Sequence, residues 1–455
     1  MQLQTLHGVW QSRGYGWMLN IKADGYDFLH HAADHLILAE RGNDQQFFAS
    51  FDRIARNGDT LQLHNSGDLT TYNFDRISAL PDLPLTVPGT NHDALTNFDE
   101  MWTLFRDHYA FFDLHKVDWN VVRDTYRPLV TASPDSETLW QVFEEILPKL
   151  NDGHVSLDGG DRTIMCQQFQ PERRGLQAAF DLPTLAISPR STTDAVHKNF
   201  ANVLLAPFAD RHSPLKDGGN EIIHWCKLTP RIGYISVLRL FGFADTPAAK
   251  VANDIPHDRR LLGHFIDQDL AALDAVLDEV FTDLADMDGI ILDLRINGGG
   301  FDRAGRAIAE RFAQVPSVGW QKRPRIGDGF GPTQYIEMTP ASNKTFHKPV
   351  VALQSPLCLS AGEILTLCLQ AIPTVTLAGQ ATTGMLSDNL NKPLPNGWEL
   401  SLSNEVYESC EGVCYEGVGV PPDHPLTVLT EDDCTGTLQQ SLQDAVALLA
   451  QQISG

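Results

Sequence analysis

Near the carboxyl end runs "QSPLCLSAGEILTLCLQAI", residues 354–372, in which Ser360 is followed three residues later by Glu363. An apolar run at 350–353 precedes it, and a helical pattern begins just inside it. Ser-Ala-Gly-Glu fits a capping box, where the serine oxygen accepts from a backbone N–H and the glutamate returns the bond. The same serine can be a nucleophile, provided that other parts of the chain supply a base, an oxyanion hole and a group that orients the base. Both readings stand on this stretch alone.

Candidates for those parts exist. "LDLRINGGGFD", 292–302, places Gly298, Gly299 and Gly300 after an apolar strand and before a helix. Such a loop turns sharply and exposes N–H groups, which at a helix start attract anions. Neither GxxxxGK[ST] nor GxGxxG is present, so a nucleotide loop is not indicated, and a plain tight turn is the other reading. Ala361 opens the helix after Ser360, so its N–H also points outward. If the two strands are neighbours, these amides and the serine oxygen can converge on one carbonyl. One such donor is worth about a hundred- to a thousand-fold in rate. A serine hydroxyl is barely ionised at neutral pH and needs a base. His154 in "NDGHVSL" sits beside Gly153 at a helix-to-strand change and is the candidate. Glu416 in "CYEGVGVPPDHP" can orient an imidazole or can simply be solvated. "HHAADH" (His30, His31, His35) matches no standard metal spacing and reads as surface histidines near a turn. No metal or cofactor is expected.

The elements that must position these residues can be traced by periodicity. Residues 1–80 read as a small antiparallel β domain, a barrel or sandwich, with turns at Asp24-Gly25, Asn57-Gly58 and Ser66-Gly67. A Pro-rich linker spans 81–93. A helical segment, 94–155, carries two apolar stripes: Phe98, Met101, Trp102, Phe105 and Tyr109, then Leu139, Val142, Phe143, Ile146, Leu147 and Leu150. Residues 156–229 read as irregular. From 230 to 455 strands and helices alternate, which argues an α/β core with sites at the carboxyl ends of strands. A closing helix is expected at about 436–452.

The net charge of −24 over 455 residues makes nucleic acid and anionic lipid poor partners. No apolar run reaches the ~18 residues that span a bilayer. The start, "MQLQTLHGVWQSRG", has neither a basic n-region nor an apolar h-region, so a soluble chain without a secretory signal, cytoplasmic or periplasmic, is expected. Seven cysteines contain no C-x-x-C pair, which argues against structural zinc. Cys410 and Cys414 flank "EGV", and a bridge across that turn or free thiols are both open.

Taken together, "LNDGHVSL", "GIILDLRINGGG", "SPLCLSAGE" and "YEGVGVPPD" resemble, in order, the carboxyl-terminal processing (tail-specific) protease family, and more narrowly its tricorn-like branch. The resemblance covers about residues 95–450. It implies a ClpP/crotonase-like ββα core and a serine peptidase acting on a peptide or protein substrate. Carried over by position, it implies Ser360 as nucleophile, His154 as base and Glu416 as the assisting carboxylate. Ala361 and Gly298 or Gly299 would be the oxyanion donors. Three departures stand out. The lysine of the processing branch's "GK" pair is replaced in Gly384-Met385, which excludes a Ser–Lys dyad of that kind. Gly153 occupies the place of the tricorn branch's relay serine, leaving Ser156 or a water for that link. No PDZ segment is recognisable between 160 and 228, and the N-terminal β domain lies outside the resemblance. The same fold also serves non-catalytic ligand carriers, which is the alternative reading.

Overall fold

The computed structural model describes residues 3–31, 34–65, 67–166, 211–245, 259–342, 344–428 and 434–454. Most of the stretch read as irregular, and searched for a PDZ segment, lies outside these residues. The chain forms two compact units. One contains 1–168, 322–334 and 387–406; the other contains 169–321, 335–386 and 407–455.

In the first unit, alternating strands build an eight-stranded sheet. Its order is Arg53–Asn57, Thr60–His64, Thr71–Ile77, Gly8–Ser12, Trp17–Lys22, Gly25–His31, Leu36–Gly42, Leu85–Thr86. All neighbours are antiparallel except the last pair. The expected tight turns are present where Lys22 pairs with Gly25 and Asn57 with Thr60. Met18, Leu29 and Leu36 form a small apolar cluster within the all-β region, but its larger core is shared with the helices. Trp10, Leu19, Phe28, Leu61 and Phe74 share one apolar cluster with Phe98, Met101, Phe105, Phe143 and Ile146 of the helical segment. Both predicted helical stripes are buried in it. Aspartates open the three longest helices of the segment: Asp93, Asp118 and Asp135 each accept backbone N–H groups of the first turn. His30 is buried within its strand rather than exposed near a turn.

In the second unit, four parallel strands form the middle of a seven-stranded sheet: Ile232–Val237, Gly289–Asp293, Val350–Gln354 and Val375–Gly379. The middle two are buried along their whole length, as continuous apolar runs in parallel sheets require. On one face, Tyr234, Ile291, Val351, Leu353 and Ala378 pack with Leu442, Ala445 and Leu449 of the closing helix, Cys434–Ser454. The helices Asp302–Glu310 and Ala361–Gln370 lie against each other. Gly305 permits this, since a Cβ there would sit 3.3 Å from Ala361 O and 3.2 Å from Leu365 Cβ.

A buried ion pair closes the end of the strand Gly289–Asp293. Arg295, fully buried, donates to both Asp293 oxygens at 2.9 and 2.6 Å and to Ser441 Oγ at 2.8 Å. Tyr234 donates to Asp293 at 2.8 Å, and Ser355 donates to the Arg295 carbonyl. Removing one partner strands the other charge in a dry site, so Arg295→Ala should lower the unfolding free energy by roughly 3–5 kcal/mol. A urea titration followed by circular dichroism measures this, and an unshifted midpoint would refute the role given to the pair.

Candidate functional site

The glycine loop and the serine turn follow adjacent parallel strands, with Ile290 beside Val350 and Asp293 beside Leu353. Their carboxyl ends therefore deliver both loops to the same edge of the sheet. Asn297, fully buried, stitches them together. Its side-chain amide donates to Val237 O at 2.9 Å and accepts from Gly299 N–H at 3.0 Å, while its carbonyl accepts from Leu359 N–H at 3.1 Å. Gly299 adopts φ +78°, and a Cβ there would lie 2.8 Å from Leu359 O and 2.9 Å from Ser360 Cβ. Only glycine lets the loop lie this close to the serine.

Ser360 itself has φ +54° and ψ −129°, outside the regions an ordinary residue occupies. Holding a side-chain-bearing residue there costs about 1–3 kcal/mol, and such outliers cluster at functional sites. Ala361 and the following turns run into the buried helix Ala361–Gln370. The Ala361 N–H, at the first helical position, has no acceptor among the described residues.

The glycine amides depart from expectation. Gly298 N–H donates to Leu238 O at 2.9 Å, and Gly299 N–H is held by Asn297. Both groups proposed from sequence as oxyanion donors are thus already engaged. Of the three glycines, Gly300 is the one whose N–H has no acceptor among the described residues.

Glu363 is fully buried and its carboxylate accepts from four donors. Thr382 Oγ1 and Gly384 N–H reach one oxygen at 2.6 and 2.7 Å, and Met385 N–H and Ser360 N–H reach the other at 2.7 and 3.2 Å. Burial pushes its pKa up to about 7, while those hydrogen bonds pull the other way. The shift is upward, so its share of stability is complete below the ordinary glutamate range and is lost as pH rises through about 7. Glu416, also buried, accepts Leu386 N–H at 2.8 Å. The strip 382–386 is therefore gripped by a carboxylate at each end. It is also bonded to the serine turn through Thr383 N–H to Cys358 O, and to the 415–420 turn through Gly417 N–H to Gly384 O.

His154 belongs to the first unit, whereas Ser360, Ala361, the glycine loop and Glu416 belong to the second. It follows a 3-10 turn, Leu147–Leu150, that ends on Asn151 at φ +48°. Its backbone N–H donates to Asp152 Oδ1 at 2.9 Å, and Asp152 also accepts from Tyr109 Oη at 2.9 Å. Burial lowers the His154 pKa below the ordinary histidine value against the opposing pull of Asp152. The imidazole is therefore neutral at pH 7 and able to accept a proton. Cys410 and Cys414 are exposed and not bridged to each other. No helix among the described residues is long and apolar enough to cross a membrane.

Residues 264–426 match the sequence profile of Peptidase family S41, and residues 91–147 match the tricorn protease C1 domain. Over residues 264–426 the chain is therefore similar to family S41 peptidases. A curated relative, tricorn protease homolog 1 of Streptomyces coelicolor, is 24% identical over 389 residues, which cover 77% of this chain and 34% of the relative. The chain thus spans about a third of that relative's length. Among solved structures, a Parabacteroides merdae protein assigned to the peptidases superposes with a TM-score of 0.58 at 20% identity, covering 79% of this chain and 97% of the other. Mature CPAF in complex with lactacystin gives a TM-score of 0.53 at 12% identity, over 80% and 99% of the two chains. These superpositions show a shared fold.

The S41 region holds the glycine loop, Ser360, Glu363 and Glu416, and His154 falls between the two matched segments. Sequence reasoning passed over Asn297, and it named Gly300 in the glycine loop without assigning it a donor role. It also passed over Thr382, for which no local pattern gave a signal. The close approach in the S41 region gives a test of its own. Gly299→Ala must adopt positive φ and push on the serine turn, at a cost of about 1–3 kcal/mol. Thermal denaturation of the variant measures that cost, and an unchanged melting temperature would contradict the contact.

Proposed function

We propose that this chain is a serine peptidase that hydrolyses peptide bonds, with Ser360 as nucleophile, His154 as general base and Glu416 as the carboxylate that orients the imidazole. The observation that carries the reading is the serine turn. A serine is held at an unfavourable φ against Gly299 of the glycine loop, and the amides of Ala361 and Gly300 have no acceptor among the described residues. The S41 match over the same residues supports it.

In this mechanism the neutral His154 imidazole takes the Ser360 proton as the hydroxyl attacks the substrate carbonyl. Negative charge develops on the carbonyl oxygen. The Ala361 N–H, at the positive end of its helix, and the Gly300 N–H receive that charge. His154 then returns the proton to the leaving amine, an acyl-enzyme forms on Ser360 Oγ, and water completes the cycle by the same route. Gly300 replaces the Gly298 or Gly299 donor expected from sequence, because those two amides already have acceptors. A ligand carrier of the same fold has fold likeness alone behind it.

Ser360→Ala should abolish labelling by a fluorophosphonate probe and all cleavage of a peptide library read by mass spectrometry. His154→Ala should lower kcat by about a thousand-fold or more, because members of such a site act as a unit. Persistent probe labelling of Ser360→Ala, mapped to another residue, would overturn the assignment. So would a His154→Ala enzyme of normal rate.

A further inference from the structure

The capping-box glutamate is the most heavily bonded carboxylate at the site, and its partners are not those of a simple cap. A cap serves the first turn of its own helix. Glu363 uses one of its four bonds for the backbone of Ser360 and spends three on a segment about twenty residues downstream. All four partners donate. Thr382 Oγ1 also accepts from Val420 N–H at 2.7 Å, so its proton is directed to Glu363. A carboxylate with both oxygens receiving is thereby specified, at a position with no exposure to solvent.

We propose that Glu363 is a positioning residue for Ser360: as an anion it locks the strained serine turn to the strip 382–386 and, through Leu386, fixes the place of Glu416. The proposal rests on the reading of Ser360 as nucleophile. Its geometry has two arms. At one end, Glu363 Oε2 is shared by Ser360 N–H and Met385 N–H, so the serine backbone and the strip move together. At the other, Leu386 N–H, the next amide along, is bonded to Glu416. Met385 is buried at the place where the lysine-using branch of the resemblance carries its base. In this chain that position contributes a backbone amide to the clamp instead of an ammonium.

A merely structural carboxylate would alter stability and leave the chemistry of folded enzyme alone. A positioning carboxylate changes the rate of acylation with substrate binding held. Glu363→Gln keeps the shape but turns one end of the side chain into a donor facing donors. Misplacement of a reacting group by about 1 Å costs on the order of a hundred-fold, so kcat of Glu363→Gln should fall by ~30- to 300-fold with KM within ~3-fold. Thr382→Val removes one bond of the four and should give a smaller loss, ~3- to 10-fold in kcat. The double variant should lose little beyond Glu363→Gln alone, because both changes act on one clamp.

A pH profile gives the readout that fold stability cannot imitate. Glu363 faces no cation in an ion pair among the described residues, and its titratable neighbour is the Cys358 thiol, which burial keeps protonated. As pH falls through about 7 the carboxyl takes a proton and one oxygen can no longer receive. The rate of fluorophosphonate labelling of wild-type enzyme should fall across that range. In Glu363→Gln that limb should disappear, leaving the lower one set by His154.

The experiment is steady-state kinetics and labelling rate against pH for wild type, Glu363→Gln and Thr382→Val, each checked by circular dichroism. If wild-type enzyme labels on Ser360 and both folded variants keep normal kcat and the wild-type pH limb, the positioning role is overturned. If wild-type Ser360 does not label at all, the nucleophile reading fails first, and the two failures are told apart. Should Glu363→Gln not fold, the graded loss in Thr382→Val decides alone.

Discussion

Three strand ends must stay in register for a serine and a glycine loop to meet, and one buried residue, Asn297, ties them through its side chain and its backbone carbonyl. Asn297 bonds the end of Ile232–Val237, the glycine loop and the serine loop with one hydrogen bond each. A Cβ on Gly362 would come within 2.6 Å of Asn297 Oδ1, so the helix start is fitted to that oxygen as well. Hydrogen bonds in a dry interior are strong, and an unmet partner there is expensive. The geometry at Ser360 is thus paid for by a network with no solvent to compensate errors. The Asp293–Arg295 pair lies just before this loop in the chain, at the end of its strand.

The question posed by Ser-Ala-Gly-Glu has a compound answer. The glutamate does return a bond to the Ser360 amide, as the capping pattern requires. Its remaining bonds go to Thr382, Gly384 and Met385, which no capping rule anticipates. A motif defined by neighbours in sequence was doing long-range work. The cap reading therefore accounts for one of the four bonds this carboxylate receives and leaves the other three to the strip 382–385.

Much of the fold was legible because burial leaves a periodic trace. The stripe Phe98, Met101, Phe105 and the apolar runs of 289–293 and 350–354 were readable since each element hides one face or its whole length. Turn chemistry at Asp24-Gly25 and Asn57-Gly58 marked hairpins for a local steric reason. The β region's merger with the helices was not readable, because shared cores are made by contacts far apart in sequence. The same limit applied at the site. The glycine motif announced itself, but which amide remained available depended on acceptors from Leu238 and Asn297, a matter of tertiary register. His30 was misjudged because a histidine cluster looks polar in sequence, while the strand that carries it is buried on both sides.

The two units are interleaved along the chain rather than laid end to end, and this constrains how the protein can come into being. The first unit begins at residue 1 but takes in 322–334 and 387–406. During synthesis its sheet of Ser156–Asp158, Thr163–Met165, Asn389–Pro393 and Glu399–Ser403 cannot close until residue 403 has left the ribosome. Long-range closure of this kind folds slowly and leaves strand edges uncovered meanwhile. A nascent chain arrested after residue 168 would hold the first sheet and helices without their late strands.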